Sequence, residues 1–260
     1  MKRLAALLSI ALSLIVAAPA GAITFGTVDG NAHPWVGSLV APWGAGGALD
    51  HVCSGTLISP TVFVTASHCT VTLEALGIGP DDVFVTFDST FSPTGNLIPA
   101  TYVSNPDFGY SGPGGNSDPH DVAVVLLSVP SSITPALLPT AGLLNTLRLK
   151  NQRFITVGYG AVREDKTKGY QSLSWDGQRR WVEQGFRSLT KSWLNLSQNP
   201  STGNGGTCYG DSGGPHFLGT SNIVVALTVT GDSTCRATDV DYRVDTASAR
   251  AFLGQYVTLP

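Results

Sequence analysis

Charge is scarce in this chain: Asp, Glu, Lys and Arg make up 13% of its 260 residues, against about 25% in average proteins. The 15 basic and 18 acidic side chains leave a formal charge of −3, a weakly acidic balance that gives no support for nucleic-acid binding. Cysteine is limited to four residues with no Cys-x-x-Cys pair, so the ligand spacing of a zinc site is missing. No internal repeat and no long helical periodicity appear before the last stretch of chain, which argues against solenoids and helix bundles. Past residue 22 there is no long apolar run, and so no later candidate for a membrane span.

What the chain does have is 30 glycines and 16 prolines, placed between short β-rich runs. Thr61–Ala66, Val83–Phe87, Val122–Val129, Phe154–Tyr159 and Ile223–Thr230 are examples, and the pattern predicts a turn-rich β protein. Thr246–Gln255 reads as a terminal helix capped by Asp245 or Thr246. Ala41–Asp50, Ser104–Pro119 and Arg163–Arg180 read as surface loops. Arg163–Lys191 carries seven of the fifteen basic residues and is read as a solvated face rather than an exosite.

Lys2 and Arg3, the apolar run Leu4–Ala18 and the small residues Ala20-Gly-Ala22 predict a secretory signal over residues 1–22. An uncleaved anchor is the alternative, but the run is short for a span of about 17–25 residues. Removing it leaves 238 residues and a charge of −5, since Lys2 and Arg3 depart with it. Four cysteines in an exported chain imply two disulfides, and the residues alone leave three pairings open.

Tyr209-Gly-Asp-Ser-Gly-Gly-Pro-His216 sets one serine, Ser212, among glycines. A serine hydroxyl needs a neighbouring base to become a nucleophile. Glycines let amide N–H groups approach a developing oxyanion. Upstream, the apolar strand-like run in Val64-Thr-Ala-Ser-His-Cys69 ends at His68, and Asp121 opens the apolar strand of His120-Asp-Val-Ala-Val-Val-Leu-Leu127. The order His, Asp, Ser excludes the α/β-hydrolase elbow, which needs Ser, acid, His. His33, His51, His120 and His216 are read as structural or exposed.

These segments, with Cys53-Ser-Gly-Thr-Leu-Ile58, Gly158-Tyr-Gly160 and Thr207-Cys208, resemble the chymotrypsin/trypsin-type serine proteases from Ile23 to about Val244. The resemblance implies an all-β fold of two six-stranded antiparallel barrels with a short C-terminal helix. The protease domain would run over 23–260, with the first barrel in 23–135 and the second in 136–260. It implies the disulfides Cys53–Cys69 and Cys208–Cys235. It also implies a secreted endopeptidase acting on proteins or peptides, with no metal or organic cofactor and no membrane contact after signal cleavage. Asp81-Asp82 could belong to a calcium loop, but a turn before a strand accounts for them as well.

The family roles map residue by residue. Ser212 would be the nucleophile, His68 the general base and acid, and Asp121 the group that orients the imidazole. The amides of Gly210 and Ser212 would form the oxyanion hole. Asp211 would pair with the α-ammonium of Ile23, freed by cleavage after Ala22. In the specificity pocket Gly206 stands where trypsin-like enzymes carry an aspartate, so basic specificity through that position is not expected. Gly231 would keep the pocket wall open, and Asp239, if it faces the pocket, would restore a basic preference. The family's Ser-Trp-Gly strand reads Val229-Thr-Gly231 here, which removes a serine that normally bonds the catalytic aspartate. Two other readings are a silent binding module on the same fold, which retention of all three triad residues disfavours, and a serine esterase, which would be a side activity.

Overall fold

The computed structural model describes residues 23–109, 117–163 and 173–260. After a short strand β1 (Thr27–Val28), six strands form the first barrel: β2 (Val36–Ala41), β3 (Asp50–Ser59), β4 (Val62–Thr65), β5 (Val83–Thr86), β6 (Ile98–Val103) and β7 (Ala123–Leu127). They pair in the order β2-β3-β4-β7-β6-β5 and close through β2–β5. The helix α1 (Ser67–Ala75) follows β4, and α2 (Leu143–Thr146) lies in the connection to the second barrel.

The second barrel contains β8 (Arg153–Gly158), β9 (Arg180–Leu189), β10 (Trp193–Ser197), β11 (Pro215–Leu218), β12 (Val224–Gly231) and β13 (Thr238–Arg243). The order β9-β10-β13-β12-β11-β8 is closed by β8–β9, and β1 adds to the outer edge of β9. All pairings between these strands are antiparallel, so both barrels are built from hairpins and returns. The helix α3 (Ala247–Leu253) ends the fold, with the Thr246 side chain accepting from Ala249 N–H at its first turn.

The period-two alternation of strands lets one strand serve two cores. In β4, Phe63 enters the first barrel with Leu39, Leu57, Val85 and Tyr102. Its neighbours Val62 and Val64 face the seam, where they join Val157, Phe217, Leu227 and Tyr242 of the second barrel. In β7, Val125 goes with the first set and Val124 with the second.

The basic stretch is a solvated face only in part. Arg187 and Lys191 are exposed, but Arg163, Arg179 and Arg180 are buried at 3%, 0% and 4% exposure, while Lys166 and Lys168 lie outside the described residues. Arg179 bonds Asp29 Oδ2 at 2.8 Å, the Val36 carbonyl at 2.8 Å and the Phe87 carbonyl at 3.0 Å. A buried guanidinium needs such satisfaction. It ties the start of β9 to the first barrel.

Candidate active site

The register of β4 on β7 builds half of the site. Thr65 pairs with Ala123 at the end of that ladder, so the chain leaving β4 and the chain entering β7 run side by side. His68 sits in the first turn of α1, three residues beyond β4 rather than at the strand end that the sequence suggested. Asp121 likewise precedes β7 by two residues instead of opening it. Ser67 Oγ donates to the Val122 carbonyl at 2.8 Å and locks the two segments together.

Helix α1 has Ala66 at its N-cap, with no side chain able to satisfy the free amides of the first turn. Asp121 supplies that acceptor: its Oδ1 takes the His68 N–H at 2.9 Å. Its Oδ2 lies 2.8 Å from His68 Nδ1. One fully buried carboxylate thus fixes both the backbone and the ring of His68, whose side chain stays 26% exposed. The ring's Nδ1 is the atom held, which leaves Nε2 directed outward.

The serine loop lies between β10 and β11 and is tied down by both barrels. Ser54 N–H, on β3, donates to the Ser212 carbonyl at 2.9 Å, and Gly213 N–H donates to the Thr228 carbonyl at 2.8 Å. Gly213 has φ +74°, and a Cβ there would lie 2.1 Å from Thr65 Oγ1 and 2.7 Å from Ala66 N. Only glycine permits this approach. It sets Ser212 against the turn that leads into His68. Among the described residues Ser212 Oγ makes no hydrogen bond, and the N–H groups of Gly210 and Ser212 have no protein acceptor.

The Gly210 carbonyl is held by His51 Nε2 at 2.9 Å and Ser54 Oγ at 3.1 Å. His51 Nδ1 is 2.6 Å from Ser38 Oγ, and burial lowers the ring's pKa to about 4, so it bonds as neutral imidazole. Sequence reasoning gave Ser54 no role and His51 only a structural one. The Cys53-Ser-Gly segment was visible in the resemblance, but a hydroxyl serving three segments at once is a tertiary fact: Ser54 Oγ also accepts from Tyr159 N–H at 3.0 Å.

Asp211 is fully enclosed. Its oxygens accept from Gly160 N–H at 2.8 Å and Cys208 N–H at 2.9 Å. Burial outweighs these two bonds and lifts its pKa to about 7. Ile23 is buried too, and the next residue, Thr24, forms a two-way bridge with Gly206, close in sequence to Asp211. The disulfides are Cys53–Cys69, beside His68, and Cys208–Cys235, beside the serine loop.

A cavity of about 220 Å³ opens next to Ser212, lined by Gln198, Thr207, Thr228–Asp232 and Tyr209 among others. Gly231 is on its wall. Gly206 and Asp239 are not: Asp239 is fully buried behind it, accepting from Thr207 Oγ1 at 2.6 Å and Gln184 Nε2 at 2.7 Å. Next to Asp239 inside the second barrel lie Asp241 and His216, whose Nε2 is 2.9 Å from Asp241 Oδ1 and 3.0 Å from Thr228 Oγ1. Burial raises both carboxyls, Asp239 to about 7, and lowers His216 to about 4.

A double barrel with a histidine–aspartate pair at one end and a serine loop docked against it is the layout of a serine-type hydrolase. The family model described as Trypsin matches residues 24–251. A trypsin of Saccharopolyspora erythraea is 26% identical over 222 residues, covering 78% of this chain and 84% of that protein. Testisin of Homo sapiens is 30% identical over 200 residues, which cover 70% of this chain and 60% of testisin. Among solved structures, HL collagenase superposes with a TM-score of 0.65 at 17% identity, over 90% of this chain and 96% of that one, a likeness of fold. The chain belongs to the trypsin family and is a serine-type endopeptidase.

Proposed function

We propose that the chain is a secreted endopeptidase that cleaves peptide bonds through an acyl-enzyme on Ser212. His68 Nε2 takes the Ser212 proton as the hydroxyl attacks the scissile carbonyl, then delivers it to the leaving amine. Asp121 holds the imidazole's tautomer and stabilises the imidazolium. The observation that carries this reading is the double grip of Asp121 on His68 N–H and Nδ1, with Ser212 docked on the same turn through Gly213. Hydrogen bonds of this kind often close only around substrate, which fits the unbonded Ser212 Oγ. The free N–H groups of Gly210 and Ser212 suit an oxyanion, and losing one such donor typically costs about 10²–10³ in turnover.

Asp121 bonds only His68 among the described residues, in keeping with the serine that this chain lacks at Val229. Activation follows from signal cleavage after Ala22: the new ammonium of Ile23 neutralises the enclosed Asp211 carboxylate and orders the loop around Gly210. Active material should therefore begin at Ile23.

The test is digestion of a diverse peptide library by the mature chain beside Ser212→Ala, read by mass spectrometry. Cleavage by the wild type alone is expected. Equal cleavage by both would overturn the mechanism, and no cleavage by material beginning at Ile23 would favour the binding module.

A further inference from the structure

The cavity beside Ser212 ends on a side chain that no sequence motif marks. Gln198 is 1% exposed, with its Nε2 donating to the Thr238 carbonyl at 2.8 Å, which fixes the orientation of the carboxamide. Among the described residues its Oε1 has no hydrogen-bond partner, and it sits over Gly206: a Cβ at Gly206 would lie 2.2 Å from it. A Cβ at Gly231 would lie 3.1 Å from Gln198 Nε2. The carboxamide therefore lies between Gly231, on the cavity wall, and Gly206, which lies outside the lining. It fills the space that a residue-206 side chain would otherwise occupy.

Behind this group comes a carboxylate. Gln184 Nε2 lies 2.6 Å from the same Cβ position of Gly206, and it bonds Asp239 Oδ2 at 2.7 Å. Gln198 lines the cavity, whereas Gly206, Gln184 and Asp239 do not. The acid on the cavity wall itself, Asp232, has its oxygens taken up by the N–H groups of Arg236, Ala237 and Thr238 and the Thr234 hydroxyl.

We infer that Gln198 is the floor of the P1 pocket, closing it over the buried Asp239 and so directing the enzyme to uncharged P1 side chains. The inference rests on the endopeptidase reading for its consequence, but its geometry can be tested without cleavage. A long cationic P1 group entering the pocket meets a neutral carboxamide backed by Gly206. With the carboxamide gone, the same group reaches the Asp239 carboxylate. A charge-assisted hydrogen bond is worth about 10–150-fold in affinity.

Two measurements decide it. The first is the ratio of kcat/KM for otherwise identical peptides with P1 Lys and P1 Leu, at pH 8.5, in wild type, Gln198→Ala and Gln198→Ala/Asp239→Asn. A ratio within one variant does not depend on how much of it folds. It should rise at least ~30-fold in Gln198→Ala and return in the double variant. The second is equilibrium binding of benzamidinium, a P1-sized cation, to the same floor variants built on Ser212→Ala, where the same ~30-fold gain and its loss are expected. A change under about 3-fold in cation binding, or a gain that survives Asp239→Asn, overturns the proposal. A gain in cation binding, with no cleavage by the matching variants that retain Ser212, supports the floor and sinks the endopeptidase reading instead.

Discussion

Freeing the amino group of Ile23 should reverse the way stability depends on pH. In the uncleaved chain Asp211 is 1% exposed. Burial, opposed by the N–H groups of Cys208 and Gly160, lifts its pKa to about 7 from an ordinary 3.8. The folded chain then holds this proton more tightly than the unfolded chain does. The stabilisation is full below pH 3.8 and is lost as pH rises through about 7. Three pKa units at about 1.36 kcal/mol each amount to roughly 4 kcal/mol from this carboxyl. Once the Ile23 ammonium sits beside it, the ionised form is favoured and the sign changes. The pair then stabilises the fold above pH ~4, until the ammonium deprotonates above about 8.

The assay uses a chain with a removable leader ending at Ala22, on a Ser212→Ala background to prevent self-digestion. Urea unfolding is followed at pH 5, 6.5 and 8, before and after leader removal, with and without Asp211→Asn. Asp239, raised to about 7, and His51 and His216, lowered to about 4, titrate in both forms. The difference between the two forms therefore isolates Asp211. Between pH 5 and pH 8 the cleaved form should gain on the uncleaved form by roughly 3 kcal/mol, from the two pKa units that lie above pH 5, and Asp211→Asn should abolish that gain. Parallel pH profiles, or a difference that persists in Asp211→Asn, would refute the pairing.

Other outcomes follow from the same contacts. Asp121→Asn should lower kcat by about 10⁴, the size found in the triad template of this family, while near-native unfolding in urea shows that the fold survives; a loss under tenfold would mean that His68 is oriented by something else. Arg179→Met should destabilise the chain by about 3 kcal/mol, because it takes the guanidinium from buried Asp29 and leaves it only the His33 N–H and Nδ1. In a double-mutant cycle Asp29→Asn should recover part of that loss. Strict additivity in urea unfolding would show that the pair is not coupled.

The legible parts of the chain were those in which one short segment carries both the chemistry and its geometry. Ser212 is followed by Gly213, the glycine that the close approach to Thr65 and Ala66 requires, so the motif encodes the contact. The barrels show through because Phe63 and Val125 alternate with Val64 and Val124 between two cores. The alternation tells only half of β13. Tyr242 is buried at the seam as an apolar residue should be, yet Asp239 and Asp241 on the other face are also enclosed at 0% exposure, with His216. Hydrophobic patterning assigns the inner face of a strand by excluding charge, and it fails where a barrel interior holds a polar cluster. Arg179 was misread for a related reason: its neighbours in sequence are basic and polar, while its partners Asp29, Val36 and Phe87 are distant in the chain.

The base of the pocket was the least legible part, and the physics of its assembly says why. Gln184, Gln198, Gly206 and Asp239 come from two strands and two loop positions of the second barrel, and each looks ordinary in its own segment. The sequence reading asked whether Gly206 or Asp239 supplies charge to the pocket. In the folded chain both are screened from the cavity by a residue that neither motif nor composition singles out. A glycine at 206 is then a steric requirement of two packed carboxamides, at 2.2 and 2.6 Å from any Cβ there. Installing an aspartate at that position would collide with Gln198 and Gln184 before it could meet a substrate. A change of specificity in this scaffold therefore has to begin at Gln198, with the acid already waiting behind it.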